Sequence, residues 1–364
     1  FSMFYIIFYQ LKFLLQMILK KINFRNFRNF LNYSFTFNPF LTIVIGENAK
    51  GKTNLLEGIY FLTNTIGFRE KKEEELIFFN KDRAYVEGLY LLSDQKFTFR
   101  INLEKKNNIV EKKYFINKTI KNYSSYLKEQ SKAILFSPYQ IEIITGSPAH
   151  RRNYFDKFIG SFDIQYKKQL SNYENALKRR NKLLQSIKEQ EKMREEISFW
   201  DNYLQKQGKY ITEEREKYVN FLNNHPQVDN KKFFIHYIKN EFNKKNLEKF
   251  WREELRLKQT LIGPQRDDFR IYLNENDFKR NVHLYASRSE ERLSLFWLKI
   301  NEINFFEQMF NIKPIVLLDD IFSELDLYHK KLVLNLIKKY QTIVTTTEIE
   351  VLNLIEVPKS IIKL

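Results

Sequence analysis

Residues 41–53 read Leu-Thr-Ile-Val-Ile-Gly-Glu-Asn-Ala-Lys-Gly-Lys-Thr, and this stretch decides the fold. Its first five residues form a short, largely apolar run of the kind found in buried parallel strands. The next eight fit G-x-x-x-x-G-K-[ST] without a mismatch, and apolar residues at helical spacing follow over 54–63. A strand, a glycine loop and a helix in this order predict a phosphate-binding loop at a helix N-terminus. The predicted loop residues are Gly46, Glu47, Asn48, Ala49, Lys50, Gly51, Lys52 and Thr53.

Each fixed residue of this loop has a physical role in binding a triphosphate. Gly46 and Gly51 allow backbone N–H groups to curl around phosphate oxygens. Lys52 is expected to neutralise the β- and γ-phosphates, and the Thr53 hydroxyl is expected to coordinate Mg²⁺. A phosphate loop alone does not exclude a kinase that acts on a small molecule. Such a kinase would also need an acceptor pocket and an arginine lid.

A second apolar run, residues 315–318, ends in Asp319 and Asp320. This pattern predicts a core parallel strand whose carboxyl end presents two acids, at the edge where doubly wound sheets bind their ligands. We expect Asp319 to hold Mg²⁺, directly or through water, and Asp320 to polarise the attacking water. Asp320 and Lys52 are therefore the predicted catalytic residues.

Composition and charge restrict the possible functions. The 364 residues include no cysteine, which excludes disulfides, thiolate metal sites and cysteine nucleophiles. Five histidines without metal-ligand spacing argue against a histidine metal site. The formal charge of +17 favours a polyanionic partner. A chain so rich in Lys, Asn, Ile and Phe also fits an AT-rich genome, which raises the charge without selection for nucleic-acid binding.

The start of the chain is mostly apolar over residues 1–19. Lys12 interrupts it after 11 uncharged residues, fewer than the ~20 that a membrane-spanning helix requires. Positive charge follows the apolar run rather than preceding it, and a small-residue cleavage site is missing, which argues against a signal peptide. We expect a cytoplasmic protein that begins at Met17 or Met3 and does not associate with membranes.

The apolar pattern predicts one α/β unit that is split in sequence by a helical insertion. Residues 17–45 indicate two β-strands joined by a polar turn, and residues 85–116 an antiparallel meander. A helical segment follows, and the break at Asn224-His225-Pro226 ends it. Strands and helices alternate in the last third. The predicted domains are 17–148 and 257–364, two parts of one lobe, and 149–256, an inserted helical domain.

The helical segment has two different faces. Its apolar stripe, spaced by three, four or seven positions, consists of Leu170, Tyr173, Leu177, Leu184 and Ile187. The opposite positions carry Lys178, Arg179 and Arg180. This basic face is either the solvated face of a helical hairpin or an arm that contacts DNA, and the sequence leaves both interpretations open.

Together these segments resemble the RecF family of SMC-like, ABC-type ATPases. The resemblance runs from Met17 to the end of the chain and implies a P-loop ABC-type ATPase head, a mixed sheet with flanking helices, with an inserted α-helical domain. It adds Arg28, in Phe27-Arg28-Asn29, as a further nucleotide-binding residue. In the motif at 263–268, Gln265 stands where the family usually has histidine. The other matching segments are 54–60, 136–138, 146–148, 151–156 and 317–326.

The resemblance also places two loops that act on the γ-phosphate. A signature segment that would contact the nucleotide of a second subunit is expected at Ser287, Arg288, Ser289 and Glu290. Ser289 replaces the usual glycine, and a Cβ there would hinder close approach of the backbone to phosphate. The alternative for this segment is an ordinary capped helix start. The switch loop follows the strand at 343–344, with Thr347 as its predicted residue.

By this resemblance, the chain is expected to be an ATP-dependent clamp on DNA with ATP and Mg²⁺ as cofactors. Two copies would dimerise around two nucleotides and bind single-stranded and linear duplex DNA without reading bases. The family acts in DNA replication, recombinational gap repair and the SOS response, and helps to load recombinase with RecO and RecR. Weak, DNA-stimulated ATP hydrolysis is implied. The alternatives are a DNA-binding scaffold that binds ATP with little or no hydrolysis and, less favoured, the small-molecule kinase.

Overall fold

A computed structural model of the chain describes residues 16–107, 109–186, 190–275, 278–322, 327–347 and 356–364, so Met3 lies outside the described residues. The chain forms two compact units. The first comprises the residues up to Tyr139 together with Lys299–Leu364, and the second comprises Gln140–Leu298. The second unit extends beyond the helical insertion expected over 149–256, because a separate β-sheet and the predicted signature segment belong to it as well.

Strands dominate the N-terminal part of the first unit. The elements are β1 (Ile18–Phe27), β2 (Phe30–Thr36), β3 (Leu41–Ile45), α1 (Lys52–Asn64), a 3-10 turn (Glu73–Leu76), β4 (Arg83–Leu92), β5 (Gln95–Lys106), β6 (Ile109–Ile116), β7 (Thr119–Lys121), α2 (Tyr123–Glu129) and β8 (Ala133–Phe136). The strand predicted before the phosphate loop, the helix after it and the antiparallel meander are confirmed.

An antiparallel sheet joins six of these strands in the order β2-β1-β4-β5-β6-β7. The expectation of two strands over residues 17–45 was wrong, because three strands occupy this stretch. β1 turns back into β2 through Arg28 and Asn29, and Arg28 has a φ of 50°. Phe30 and Phe35 are buried on β2, so the segment taken for a polar turn packs as a strand.

The second unit combines helices with a separate antiparallel sheet. Its elements are α3 (Glu142–Thr145), α4 (Pro148–Gly160), α5 (Ile164–Ser186), α6 (Gln190–Asn224), β9 (Gln227–Val228), β10 (Lys231–Ile238), α7 (Lys244–Leu257), β11 (Asp268–Glu275), β12 (Phe278–Asn281), α8 (Val282–Tyr285) and the start of α9 (Arg288–Phe310). The strands pair in the order β12-β11-β10-β9. α5 and α6 pack against each other, so the predicted helical hairpin is confirmed.

The basic face of this hairpin is only partly exposed. Lys178 and Arg179 are exposed, whereas Arg180 is fully buried. The Arg180 guanidinium pairs with Asp201 on α6 at 2.6 Å and with the buried Glu254 on α7 at 2.7 Å. A buried cation is tolerated only where carboxylates compensate its lost hydration. Arg180 therefore belongs to the core of this unit and not to a surface that faces solvent or DNA.

Two segments singled out by the resemblance, around Arg151 and around Asp268, meet in the second unit. Arg151 on α4 pairs with Asp268 at 2.8 Å. Arg215 on α6 pairs with Asp156 on α4 and with Asp267, both at 2.8 Å. Arg215 and Asp267 are buried. These ion pairs join α4 and α6 to the start of β11, so both segments stabilise the packing of this unit.

The end of the chain completes the first unit with a parallel sheet. The remaining elements are β13 (Ile315–Asp319), α10 (Leu327–Ile337), β14 (Thr342–Thr346) and β15 (Lys359–Lys363). The strand order is β15-β3-β14-β13-β8, and every pair is parallel. β14 therefore lies between β3, which leads into the phosphate loop, and β13, which ends in the acidic pair. Because parallel strands end at a common edge, this order brings the three strand ends together.

α1 packs in the core of the first unit. Leu55, Leu56 and Ile59 are fully buried and belong to a cluster that includes Phe24 on β1 and Leu317 on β13. The cluster therefore draws on both sheets of this unit, and the predicted mixed α/β fold is confirmed. None of the described helices is long and apolar enough to cross a bilayer.

Candidate nucleotide-binding site

The phosphate loop joins β3 to α1 through two residues with left-handed backbone, Ala49 with a φ of 65° and Gly51 with a φ of 107°. Glycine adopts this conformation without steric cost, which explains the second glycine of the motif. Lys52 begins α1, and its Nζ donates hydrogen bonds to the backbone oxygens of Gly46 at 2.6 Å and Glu47 at 3.0 Å. The loop carbonyls therefore hold the ammonium in place. The exposed loop residues are Glu47, Asn48, Ala49 and Lys50.

The metal-binding residues predicted from two distant motifs lie side by side. The Thr53 hydroxyl donates to Oδ1 of Asp319 at 3.0 Å. Asp319 is 3% exposed, and the Thr345 hydroxyl donates to the same oxygen at 2.9 Å. Burial raises the pKa of Asp319, and the two hydroxyls oppose that rise only in part. A bound cation would favour the charged carboxylate, so this position suits an ionised metal ligand.

Asp320 directly follows the end of β13 and has a φ of 50°. Its backbone N–H donates to the Thr345 carbonyl oxygen at 3.2 Å and to the Thr345 hydroxyl oxygen at 3.1 Å. One threonine side chain thus contacts both residues of the acidic pair. Sequence reasoning chose Thr347 for the switch loop, but Thr347 is exposed beyond the end of β14. The role of Thr345 depends on β14 lying beside β13, which no local pattern reveals.

Arg28 lies on the turn between β1 and β2 with its guanidinium bound to protein groups. Nε and Nη2 donate to the Glu57 carboxylate at 2.7 and 2.9 Å, and Nη1 donates to the Glu75 carbonyl at 2.8 Å. The guanidinium thus fixes the turn against α1 and the 3-10 turn. A direct contact between Arg28 and nucleotide stays a prediction.

The residues present fit a Mg²⁺-bound triphosphate. Mg²⁺ is usually held by one or two protein oxygens together with phosphate oxygens and water. Thr53 and Asp319 supply such a pair beside the loop. Groups of three or more His, Asp or Glu side chains that could hold a metal ion are missing from the described residues. The loop after the acidic strand, 323–326, lies outside the described residues.

The predicted signature segment belongs to the second unit and starts α9 with a capping box. The Glu290 N–H donates to the Ser287 hydroxyl oxygen at 3.3 Å, and the Ser287 N–H donates to the Glu290 carboxylate at 2.9 Å. Lys231 and Arg280 also bind this carboxylate, at 3.0 and 2.7 Å. Burial raises the pKa of Glu290, but these donors together lower it to about 2. The segment is thus a capped helix start, and its contact with the nucleotide of a second copy stays a prediction.

Ser289 and Arg288 lie in the first turn of α9 with exposed side chains. Ser289 is not among the described residues with positive φ, so its Cβ causes no backbone strain. Its effect on approach to a phosphate stays a prediction.

Comparison with known proteins agrees with the motifs. Residues 18–363 match the family described as RecF/RecN/SMC N terminal domain. The chain is 32% identical over 344 residues to the DNA replication and repair protein RecF of Agathobacter rectalis, covering 92% of this chain and 93% of that protein. It is 33% identical over 357 residues to the RecF of Caldanaerobacter subterraneus subsp. tengcongensis, with coverage of 91% and 94%.

Two solved structures share the fold. The recombination mediator protein RecF-ATP in the RecFOR pathway superposes with a TM-score of 0.79 at 31% identity, over 91% of this chain and 92% of that one. The corresponding RecF-ATPrS structure has a TM-score of 0.84 at 31% identity, over 96% of both chains. The chain therefore belongs to the RecF family of DNA replication and repair proteins, which have an SMC-like, ABC-type ATPase head.

Proposed function

We propose that this chain binds ATP with Mg²⁺ and closes as an ATP-dependent homodimer on DNA, acting in replication and recombinational gap repair. The observation that supports nucleotide binding most directly is the 3.0 Å hydrogen bond between Thr53 and Asp319. It brings one oxygen ligand from the phosphate loop and one from the acidic strand to the same point, as a magnesium-bound triphosphate requires. The RecF relatives, which are DNA replication and repair proteins, support DNA as the partner.

Within the proposed site, the chain's own residues bind and orient the reactants. The loop amides and Lys52 would bind the phosphates, and Thr53 and Asp319 would hold Mg²⁺, which would polarise the phosphoryl oxygens. Asp320 would orient and polarise the attacking water, while the Thr345 hydroxyl contacts the Asp319 carboxylate and the Asp320 backbone N–H. A carboxylate is a weak base at neutral pH, so slow turnover is expected.

Dimer closure would require the signature segment of a second copy. Ser287 and the first turn of α9 would contact the γ-phosphate bound by the first copy. ATP then favours the dimer, because only the paired state makes both sets of contacts. Hydrolysis removes the γ-phosphate contacts and opens the clamp. Release of DNA would follow from the loss of the paired state.

DNA binding is proposed to use phosphate contacts without base readout. The chain carries a formal charge of +17, and exposed cations such as Lys178, Arg179 and Lys182 lie on α5. Contacts with phosphate dominate sequence-independent affinity and weaken steeply with salt. We therefore expect single-stranded and linear duplex DNA of any sequence to bind, and the affinity to fall with rising salt. RecO and RecR are proposed as partners in recombinase loading, because a solved RecF structure belongs to the RecFOR pathway.

A DNA-binding scaffold that binds ATP without hydrolysing it is the second candidate. Two observations favour it: Ser289 replaces the usual signature glycine, and threonines occupy the strand end where many ABC-type relatives have histidine. A threonine hydroxyl is not a proton acceptor near neutral pH. Both candidates require the same nucleotide site and differ only in turnover.

Light scattering with and without Mg-ATP, combined with phosphate release in the presence of DNA, tests the proposal. The clamp predicts a doubled mass with Mg-ATP and a release rate that rises with DNA. Nucleotide binding and dimerisation without release would favour the scaffold. A mass that stays monomeric with ATP bound would contradict the clamp, and phosphate transferred to a metabolite would support the kinase.

A further inference from the structure

Glu57, on the helix that follows the phosphate loop, is fully buried and accepts hydrogen bonds from two arginines. Arg28 donates to both carboxylate oxygens, at 2.7 and 2.9 Å. The Arg69 backbone N–H and its Nη2 also donate to these two oxygens, each at 3.1 Å. A buried carboxylate is costly unless it is fully paired. These four hydrogen bonds compensate the lost hydration of the carboxylate and fix both arginines relative to α1.

The Arg28 end of this cluster holds the turn between β1 and β2. Arg28 has left-handed backbone, and its N–H donates to the Leu76 carbonyl at 2.9 Å. Its Nη1, which does not contact Glu57, donates a hydrogen bond to the Glu75 carbonyl at 2.8 Å. The turn is therefore held by side-chain and backbone bonds together. Its position relative to α1 depends on Glu57.

The next residue, Asn29, contacts the phosphate loop. Its Nδ2 donates to the Lys50 carbonyl at 3.3 Å, and its Oδ1 accepts from the Asn54 side chain at 2.7 Å. A Cβ placed on Gly51 would lie 2.6 Å from the same Nδ2, so the turn is packed directly on the loop. Asn54 also receives a short hydrogen bond from Arg69. Contacts thus run from Glu57 through both arginines to the loop.

We infer that Glu57 is a positioning residue for nucleotide binding: through Arg28 and Asn29 it holds the β1–β2 turn against the phosphate loop in its binding conformation. Its carboxylate is fully buried, so it acts through the turn and not by contacting nucleotide. The inference rests on the proposed function, because it assumes that this loop binds a triphosphate. In this inference Arg28 supports the turn, through the hydrogen bonds that its guanidinium donates to Glu57 and to the Glu75 carbonyl.

Glu57→Gln tests the inference, because glutamine keeps the size of the side chain and removes its charge. We expect the Kd for Mg-ATP, measured by calorimetry on the full chain, to rise about tenfold, the lower end of the loss found when a residue that orients a metal ligand is changed. Glu254→Gln is the matched control, since Glu254 is equally buried and pairs with Arg180 in the second unit. It should lower the melting temperature similarly and leave the Kd unchanged.

A double-mutant cycle tests the route through the turn. Asn29 is exposed, so Asn29→Ala should fold, and we expect it to raise the Kd several-fold. If Glu57 acts through Asn29, the double variant should bind Mg-ATP no more weakly than Glu57→Gln alone. Fully additive effects would overturn this route. If Glu57→Gln does not fold, Arg28→Lys replaces it in the cycle, because lysine keeps the charge but cannot form the bidentate ion pair with Glu57.

The outcomes separate this inference from the proposed function. A wild-type chain that binds no Mg-ATP would contradict the proposed function itself, and the inference would fall with it. Wild-type binding that Lys52→Ala abolishes and Glu57→Gln leaves unchanged would overturn the inference alone. A weaker Kd in Glu57→Gln, with Glu254→Gln unchanged, would support it.

Discussion

The hydroxyl of Thr53 donates a hydrogen bond to Oδ1 of Asp319 at 3.0 Å, across 266 positions of the chain. One residue lies on the first turn of α1 and the other at the end of β13. Their contact forms because β3, β14 and β13 are neighbours in one parallel sheet. The loop and the acidic strand therefore lie side by side, and under the proposed function substitutions on either side should affect the same nucleotide.

Lys52→Ala should abolish nucleotide-dependent dimerisation. The ammonium is held by two loop carbonyls, and alanine removes the charge that offsets the phosphates. Sedimentation with and without Mg-ATP measures the effect, and Lys128→Ala, which removes an exposed lysine of α2, is the control. A dimer that still forms in Lys52→Ala with ATP would count against the clamp.

Asp320→Asn should keep ATP binding and trap the dimer. Asparagine retains the shape of the side chain but loses the charge that polarises water, so the γ-phosphate contacts would persist. Nucleotide affinity and the lifetime of the ATP-bound dimer are the measurements, with the exposed Asp94→Asn as control. Loss of nucleotide affinity would mean that Asp320 has a different role.

Thr345→Val should raise the Mg²⁺ concentration needed for half-maximal ATP binding, and should raise it more than Thr347→Val does. The Thr345 hydroxyl donates to Asp319 and accepts from the Asp320 N–H, and valine leaves both groups short of one partner. Both groups keep a second partner, the Thr53 hydroxyl for Asp319 and the Thr345 carbonyl for the Asp320 N–H. Each lost hydrogen bond therefore costs about 0.5–1.5 kcal/mol in the free energy of unfolding. A magnesium titration of ATP binding compares the two variants. Equal effects would show that the contact with the acidic pair does not matter.

Acid should lower the stability that the Glu290 contacts contribute at the N-terminus of α9. The pKa of Glu290 is lowered from its ordinary 4.5 to about 2, so its charged form stabilises the folded state above pH 4.5, and this stabilisation is lost as the pH falls towards 2. Thermal unfolding of the wild type and Glu290→Gln should therefore differ at pH 7 and converge near pH 2. The exposed Glu253→Gln serves as control. A difference that is constant with pH would contradict the assigned contacts.

Sequence reasoning succeeded where the determining interactions are local. The glycine loop, the apolar strands before it and before the acidic pair, and the helix after it follow from backbone preference and residue spacing within about ten positions. It failed at β2, because a strand with few buried positions looks like a polar turn when its sheet partner is unknown. Arg180 was misjudged for a related reason: helical spacing places it on the polar face of α5, but packing against α6 and α7 buries it.

The sequence by itself determined the strand, glycine loop and helix over 41–64 and the acidic strand end, since each depends on residues that are close along the chain. The family followed from a series of such short motifs along the whole match. The tertiary structure alone decided that Thr345 and not Thr347 meets the acidic pair, and that Arg28 binds Glu57. The physical reason is that strand order and buried ion pairs join groups far apart in sequence. Their partners are selected by packing, and no local pattern of residue types encodes them.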